Sequence, residues 1–168
     1  MIDDLDTSSV AYMDAVNQRL VSQGMTFSHF FATTPLCCPA RASFLRGQYA
    51  HNHGVLRNTG ENAGFGAFLR SGQESVTMAT LLNDAGYATA LIGKYLNGYS
   101  RQGDQDSYVP PGWDYWASPI DHAAYSSFSY QLNVNGVVEH RGRGESNYLT
   151  DLLAEHALDF LDRADESG

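Results

Sequence analysis

Only two cysteines occur in the 168 residues, side by side at positions 37 and 38. Neighbouring cysteines cannot staple distant parts of a chain, and a bond between them would close a strained ring. A disulfide framework is therefore excluded, and cysteine usage leaves the redox compartment open. Basic residues are also few, ten against nineteen acidic, for a formal charge of −9. That balance argues against a nucleic acid or an anionic membrane as partner, because either needs an extended basic surface. A small anionic substrate is not excluded, since it needs only a few well-placed cations. No run is apolar enough to span a bilayer, and there is no internal repeat or low-complexity tract. The opening "MIDDLDTSSV" has neither a basic leader nor an apolar run, so the sequence as written carries no mark for export.

What is present is globular in composition, 43% hydrophobic and 17% charged, at a length suited to one domain with a real core. Val10, Met13, Val16 and Leu20 recur at helical spacing behind Thr7, Ser8 and Ser9, and Gly24 ends the pattern. "MTFSHFFAT" (25–33) has the aromatic and threonine content of a strand. A helix is predicted through Phe44 and Leu45 to Gly47, with Pro39 in its first turn. Residues 51–74, rich in Gly and Asn, read as a long surface loop. Ser75 is placed to cap the helix "VTMATLLNDAG", and "YATALIG" (87–93) follows as a mostly buried strand with Lys94 just past its end. Residues 98–127 show no period and read as an ordered loop. "FSYQLNVNGVVEHR" (128–141) predicts a hairpin around Asn135-Gly136. A final amphipathic helix carries Leu149, Leu152, Leu153, Ala157, Phe160 and Leu161 on one face, with His156 read as packing. Helix leading into apolar strand is the rhythm of an α/β sheet.

The cysteine pair stands where that second helix begins. Unpaired backbone N–H groups and the positive end of the helix dipole favour an anion or an anionic nucleophile there. Arg41 lies one turn on from Cys37 and projects from the same side. A thiolate activated by that setting is one reading. A buried pair of small apolar side chains is the other, and local physics alone leaves both open.

Cys37-Cys38-Pro39-Ala40-Arg41, followed by Phe44-Leu45-Arg46-Gly47, resembles the Cys-x-Pro-Ser/Ala-Arg…Thr-Gly signature of the type I sulfatases. Arg46 departs from it, standing where the family usually has threonine. "DDLD" resembles the family's Asp pair that binds metal, and "GYATALIGKYLNGY" its second signature, in which a lysine at a strand end contacts sulfate. Leu96 stands where many sulfatases have histidine. "GKYLN", the double cysteine and "HNH" are instead similar to the glucosamine-6-sulfatase and heparan endosulfatase branch, and the likeness continues through "GWDYW" and the last helix.

The resemblance implies a sulfuric ester hydrolase acting on a sulfated carbohydrate or another sulfate ester. Cys37 would be converted to formylglycine by a formylglycine-generating enzyme, with Arg41 and Lys94 as the other catalytic residues. Asp3, Asp4 and residue 37 would hold a divalent metal, calcium by the hardness of carboxylate oxygens, with magnesium the alternative. His51, His53 and Asn97 are candidate substrate contacts. The implied fold is α/β and alkaline-phosphatase-like, a mostly parallel sheet flanked by helices. The implied domain is partial, residues 1–168 forming an N-terminal portion without the first strand and the C-terminal half. The parent would be exported, whether periplasmic, secreted or lysosomal. A phosphonate or phosphate monoester hydrolase of the same superfamily, or an inactive remnant, would share these motifs.

Overall fold

Turn chemistry builds the clearest element. Asn135 and Gly136 take φ of 50° and 88°, the left-handed pair that a two-residue hairpin turn needs to match strand twist. They join β3 (Tyr130–Val134) to β4 (Val137–Arg141), with Val134 opposite Val137 and Tyr130 opposite Arg141. Asn135 also brackets the next strand: its side-chain oxygen accepts from the Trp116 N–H at 2.8 Å, and its own N–H donates to the Trp116 carbonyl at 2.9 Å.

The computed structural model describes residues 1–100 and 107–167. The chain divides into two compact units, Met1–Ala32 and Thr33–Gly168. The first unit holds the predicted helix as a broken run: a 3-10 turn Ser9–Tyr12, α1 (Asp14–Val16) and a π-helical turn Asn17–Val21. The strand expected at residues 25–33 does not form, and Phe27, Phe30 and Phe31 are exposed. Aromatic content favours a strand only where a partner ladder and a packing face exist, and this segment pairs with no described strand.

In the second unit, β1 (Ala90–Ile92) runs parallel to β2 (Tyr115–Pro119), with Ala90 opposite Tyr115 and Ile92 opposite Ala117. Strand β3 lies antiparallel on the far side of β2, giving the order β1-β2-β3-β4. The α/β class therefore stands, on a sheet of one parallel and two antiparallel pairs among the described residues. Strand β2 corrects the expectation of a loop at 98–127, of which residues 101–106 lie outside the described residues. It is buried along its whole length, so it shows none of the alternation that marks a half-exposed strand.

Six α-helices can be numbered among the described residues. After α1 come α2 (Cys37–Arg46), α3 (Ala50–His53), α4 (Gly64–Arg70), α5 (Met78–Asp84) and α6 (Leu149–Ser167). Helices α3 and α4 correct the long loop expected at 51–74. Helix α5 is capped by Thr77, two residues later than predicted, through reciprocal bonds with Thr80 of 2.8 and 3.2 Å. Helix α6 packs Leu149 and Leu152 on Tyr130 and Leu132. His156 takes the packing role expected of it, its Nδ1 meeting the Tyr115 hydroxyl at 2.7 Å. Leu161, predicted on the buried face, is 60% exposed. The helix still meets the sheet at this level, since Phe160 and Arg163 both pack on Tyr115, and Leu161 points away from that contact.

The larger core joins Cys38, Ala42 and Leu45 of α2 to Phe65 and Phe68 of α4 and to Trp116 of β2. Tyr95 and Tyr99, just after β1, stand edge-on to Phe65 and to each other, with centroids 5.4–6.0 Å apart. The segment carrying Lys94 thus rests on a buried aromatic layer.

Candidate active site

Helix α2 starts at Cys37 behind an extended Leu36, so both cysteines lie in its first turn. Their environments differ. Cys38 is fully buried in the core, and burial pushes its thiol up to about 11, against lowering by the Asn97 N–H and the charges of Arg41 and Lys94. Cys37, one residue earlier, remains partly accessible. The buried reading therefore holds for Cys38 and not for Cys37. No side chain at the N-cap satisfies the first turn. Asn58 does so from another segment, its Oδ1 accepting the Cys38 N–H at 2.8 Å.

Arg41 bridges α2 to the end of β1. Its Nη1 donates to the Lys94 carbonyl and, at 3.4 Å, to the Tyr95 carbonyl. Lys94 is the only lysine in the chain. Its ammonium donates to the Tyr125 hydroxyl at 3.0 Å and sits 4.8 Å from that ring's centroid. Asn97 Nδ2 donates to the same hydroxyl at 3.0 Å. The Asn97 carbonyl accepts from the Phe65 N–H at 2.8 Å. A Cβ on Gly64 would come 2.5 Å from that Asn97 oxygen and 2.9 Å from the Asn58 carbonyl. Only glycine fits where these two segments close on α4.

Beneath this layer lies a buried carboxyl. Glu74 accepts from Tyr95 at 3.1 Å and from Tyr108 at 2.6 Å. Burial raises its pKa, and the two tyrosine bonds oppose that rise only in part. Tyr95 directly follows Lys94, so Glu74 fixes the backbone that presents the lysine.

The two predicted histidines part company. His51 is exposed and stacks on Tyr49 with centroids 5.8 Å apart. His53 is buried: its Nδ1 accepts the Val55 N–H at 3.2 Å and its Nε2 meets Ser43 Oγ at 2.9 Å. With Nδ1 an acceptor, Nε2 carries the proton and donates to Ser43. Burial, then the charges of Arg46 and His51, lower its pKa. His53 therefore braces α2 from within. Asp3 and Asp4 form a turn in the first unit, Asp4 at φ 56°. As donors they offer the hard oxygens that calcium or magnesium takes.

The second unit therefore brings together Cys37, Arg41, Lys94 and Asn97 on the elements expected to carry them. Two participants escape sequence reasoning. Asn58 reaches its partner across 20 residues and Tyr125 reaches Lys94 across 31, and neither carries a local signal.

The sulfatase family model matches residues 4–168. Over 161 residues the chain is 37% identical to the putative extracellular sulfatase Sulf-1 homolog of Caenorhabditis elegans, covering 95% of this chain and 21% of that protein. It is 42% identical over 145 residues to the N-acetylglucosamine-6-sulfatase of Homo sapiens, covering 83% of this chain and 25% of the relative. The chain thus spans a fifth to a quarter of the length of these relatives. The solved structure of BT4656 in complex with its substrate D-glucosamine-2-N,6-O-disulfate is similar in fold, with a TM-score of 0.54 at 22% identity. That likeness covers 81% of this chain and 23% of that one. Signature residues, their geometry and a match across nearly every residue agree: the chain belongs to the sulfatase family.

Proposed function

We propose that residues 1–168 form the N-terminal portion of a sulfatase catalytic domain whose parent protein hydrolyses a sulfate monoester on a sulfated sugar. The observation that carries this reading is the Arg41 bridge. One guanidinium ties the helix that begins at Cys37 to the carbonyl of Lys94, so a nucleophile position and two cations share one rigid frame. The sugar assignment draws support from the named activity of the human relative and from the bound substrate of the BT4656 structure.

Arg41 and Lys94 offset charge on the sulfate oxygens as the sulfur–oxygen bond breaks, the logic of phosphoryl transfer. Formylglycine at position 37, made by a formylglycine-generating enzyme, would supply a geminal diol, one hydroxyl to attack sulfur and the other to release sulfate. Asp3, Asp4 and residue 37 would hold the divalent metal, calcium or alternatively magnesium, which supplies Lewis acidity toward sulfate oxygens. Asn97 and the exposed His51 would contact substrate, and His53 would act through Ser43. The parent is exported, in keeping with the extracellular sulfatase named among the relatives. No helix among the described residues is long and apolar enough to cross a membrane.

The test is mass spectrometry of the peptide containing Cys37 after co-expression with a formylglycine-generating enzyme, paired with a substrate panel on the full-length protein. Conversion of the Cys37 thiol to an aldehyde, with release of sulfate from glucosamine 6-sulfate, is expected. An unmodified Cys37 would point to a remnant without the chemistry. Turnover of phosphonate or phosphate esters alone would move the protein to a neighbouring hydrolase class.

A further inference from the structure

Tyr125 enters the site from a segment that no signature covers. It ends a short 3-10 helix, Asp121–Tyr125, beyond β2. That helix is held at its start, where the Ile120 N–H donates to the Gln131 carbonyl and the Asp121 N–H to the Tyr99 carbonyl, both at 3.0 Å. Asp121 takes φ of 52° to make the turn, a conformation retained where surrounding contacts over-determine it. The chain thus accepts an unusual backbone state to place this tyrosine.

A phenol oxygen accepts two hydrogen bonds and donates one. Both acceptor positions of Tyr125 are taken, by the Lys94 ammonium and the Asn97 carboxamide at 3.0 Å each. Its own O–H must therefore point away from both, and the residue is 61% exposed. A hydroxyl loaded with two N–H donors and turned outward as a third donor suits an oxyanion, and it fixes the rotamer of the sole lysine.

We propose that Tyr125 is a positioning residue for the sulfate group, clamping Lys94 and Asn97 with its hydroxyl so that their donors converge on the sulfate oxygens. This rests on the sulfatase reading of the site. Without the hydroxyl, the ring still underlies the ammonium, but lysine and asparagine lose their common anchor.

The experiment uses Tyr125→Phe in the full-length protein, with two independent readouts. Competitive acetylation, read by mass spectrometry of the peptide that contains Lys94, follows its amine against the α-amine of the protein. Loss of the acceptor should raise Lys94 labelling by about threefold or more, the lower end of what one hydrogen bond is worth, with α-amine labelling unchanged. On a sulfated sugar, kcat/KM should fall about tenfold, as for loss of one charge-assisted hydrogen bond. Unchanged Lys94 labelling in the folded variant overturns the clamp. Unchanged kcat/KM beside an active wild type overturns its role on sulfate. A wild type that cleaves no sulfate ester overturns the functional reading, while the labelling still decides the clamp. Tyr125→Phe keeps the ring, so a misfolded alanine variant would not blur the result.

Discussion

At the scale of the residue, the first turn of α2 gives its two sulfurs different exposure. Cys38 faces the core with its thiol held up at about 11, so at neutral pH it offers almost no thiolate. Cys37 is partly accessible. Iodoacetamide should therefore alkylate Cys37 alone in the unmodified folded protein and both cysteines in denaturant, as read by peptide mass spectrometry. Equal labelling of both in the folded state would contradict the burial that separates them. The cysteine–arginine spacing that marks this turn is local, one helical turn, and for that reason it is visible in the sequence. The Asn58 cap, the Tyr125 clamp and the inward turn of His53 depend on tertiary approach, which no local spacing encodes.

At the scale of the element, the meeting point of three segments is Gly64, at φ 61° with no room for a Cβ. Gly64→Ala should cost roughly 1–3 kcal/mol in chemical denaturation, the usual magnitude for a residue forced into an unfavourable backbone region. It should also weaken the site, because the atoms it strikes are the carbonyls of Asn97 and Asn58. A change under about 0.5 kcal/mol, normal for a surface substitution, would show that these segments yield freely. The same helix explains why sequence reasoning stopped short. Helix α4 is buried from Gly64 to Phe68, leaving no polar face to mark a period, and its glycines read as loop. Strand β2 hid for the same reason. The hairpin and helices α2, α5 and α6 were legible because each has an explicit turn, a cap or an exposed face. Residues 25–33 had strand composition without a partner, and composition alone misled.

At the scale of the whole molecule, two buried titrating groups in the larger unit impose opposite pH slopes on stability. Glu74 has a folded pKa above its ordinary 4.5, so its stabilising protonated form is fully present below 4.5 and lost as pH rises through the raised value. His53 has a folded pKa below its ordinary 6.5, so its contribution is full above 6.5 and lost as pH falls through the lowered value. Glu74→Gln should therefore gain stability relative to wild type as pH climbs from 4.5, measured by urea denaturation across that range. A difference that stays constant with pH would mean the carboxyl does not titrate within the fold. The α/β class was legible from the helix-to-strand rhythm, but this polar floor was not, since Glu74 finds its tyrosines 21 and 34 residues away. The aromatic layer above it has an optical consequence. Both tryptophans of the chain, Trp113 and Trp116, lie in it 6.1 Å apart, and Tyr95 and Tyr99 approach Trp116 to 5.1 and 5.2 Å. Excitation absorbed by those tyrosines funnels into an indole shielded from water, one packed layer away from the lone lysine. Native emission of residues 1–168 therefore originates in this buried aromatic layer, and its wavelength and intensity report on the packing beneath Lys94 without any label.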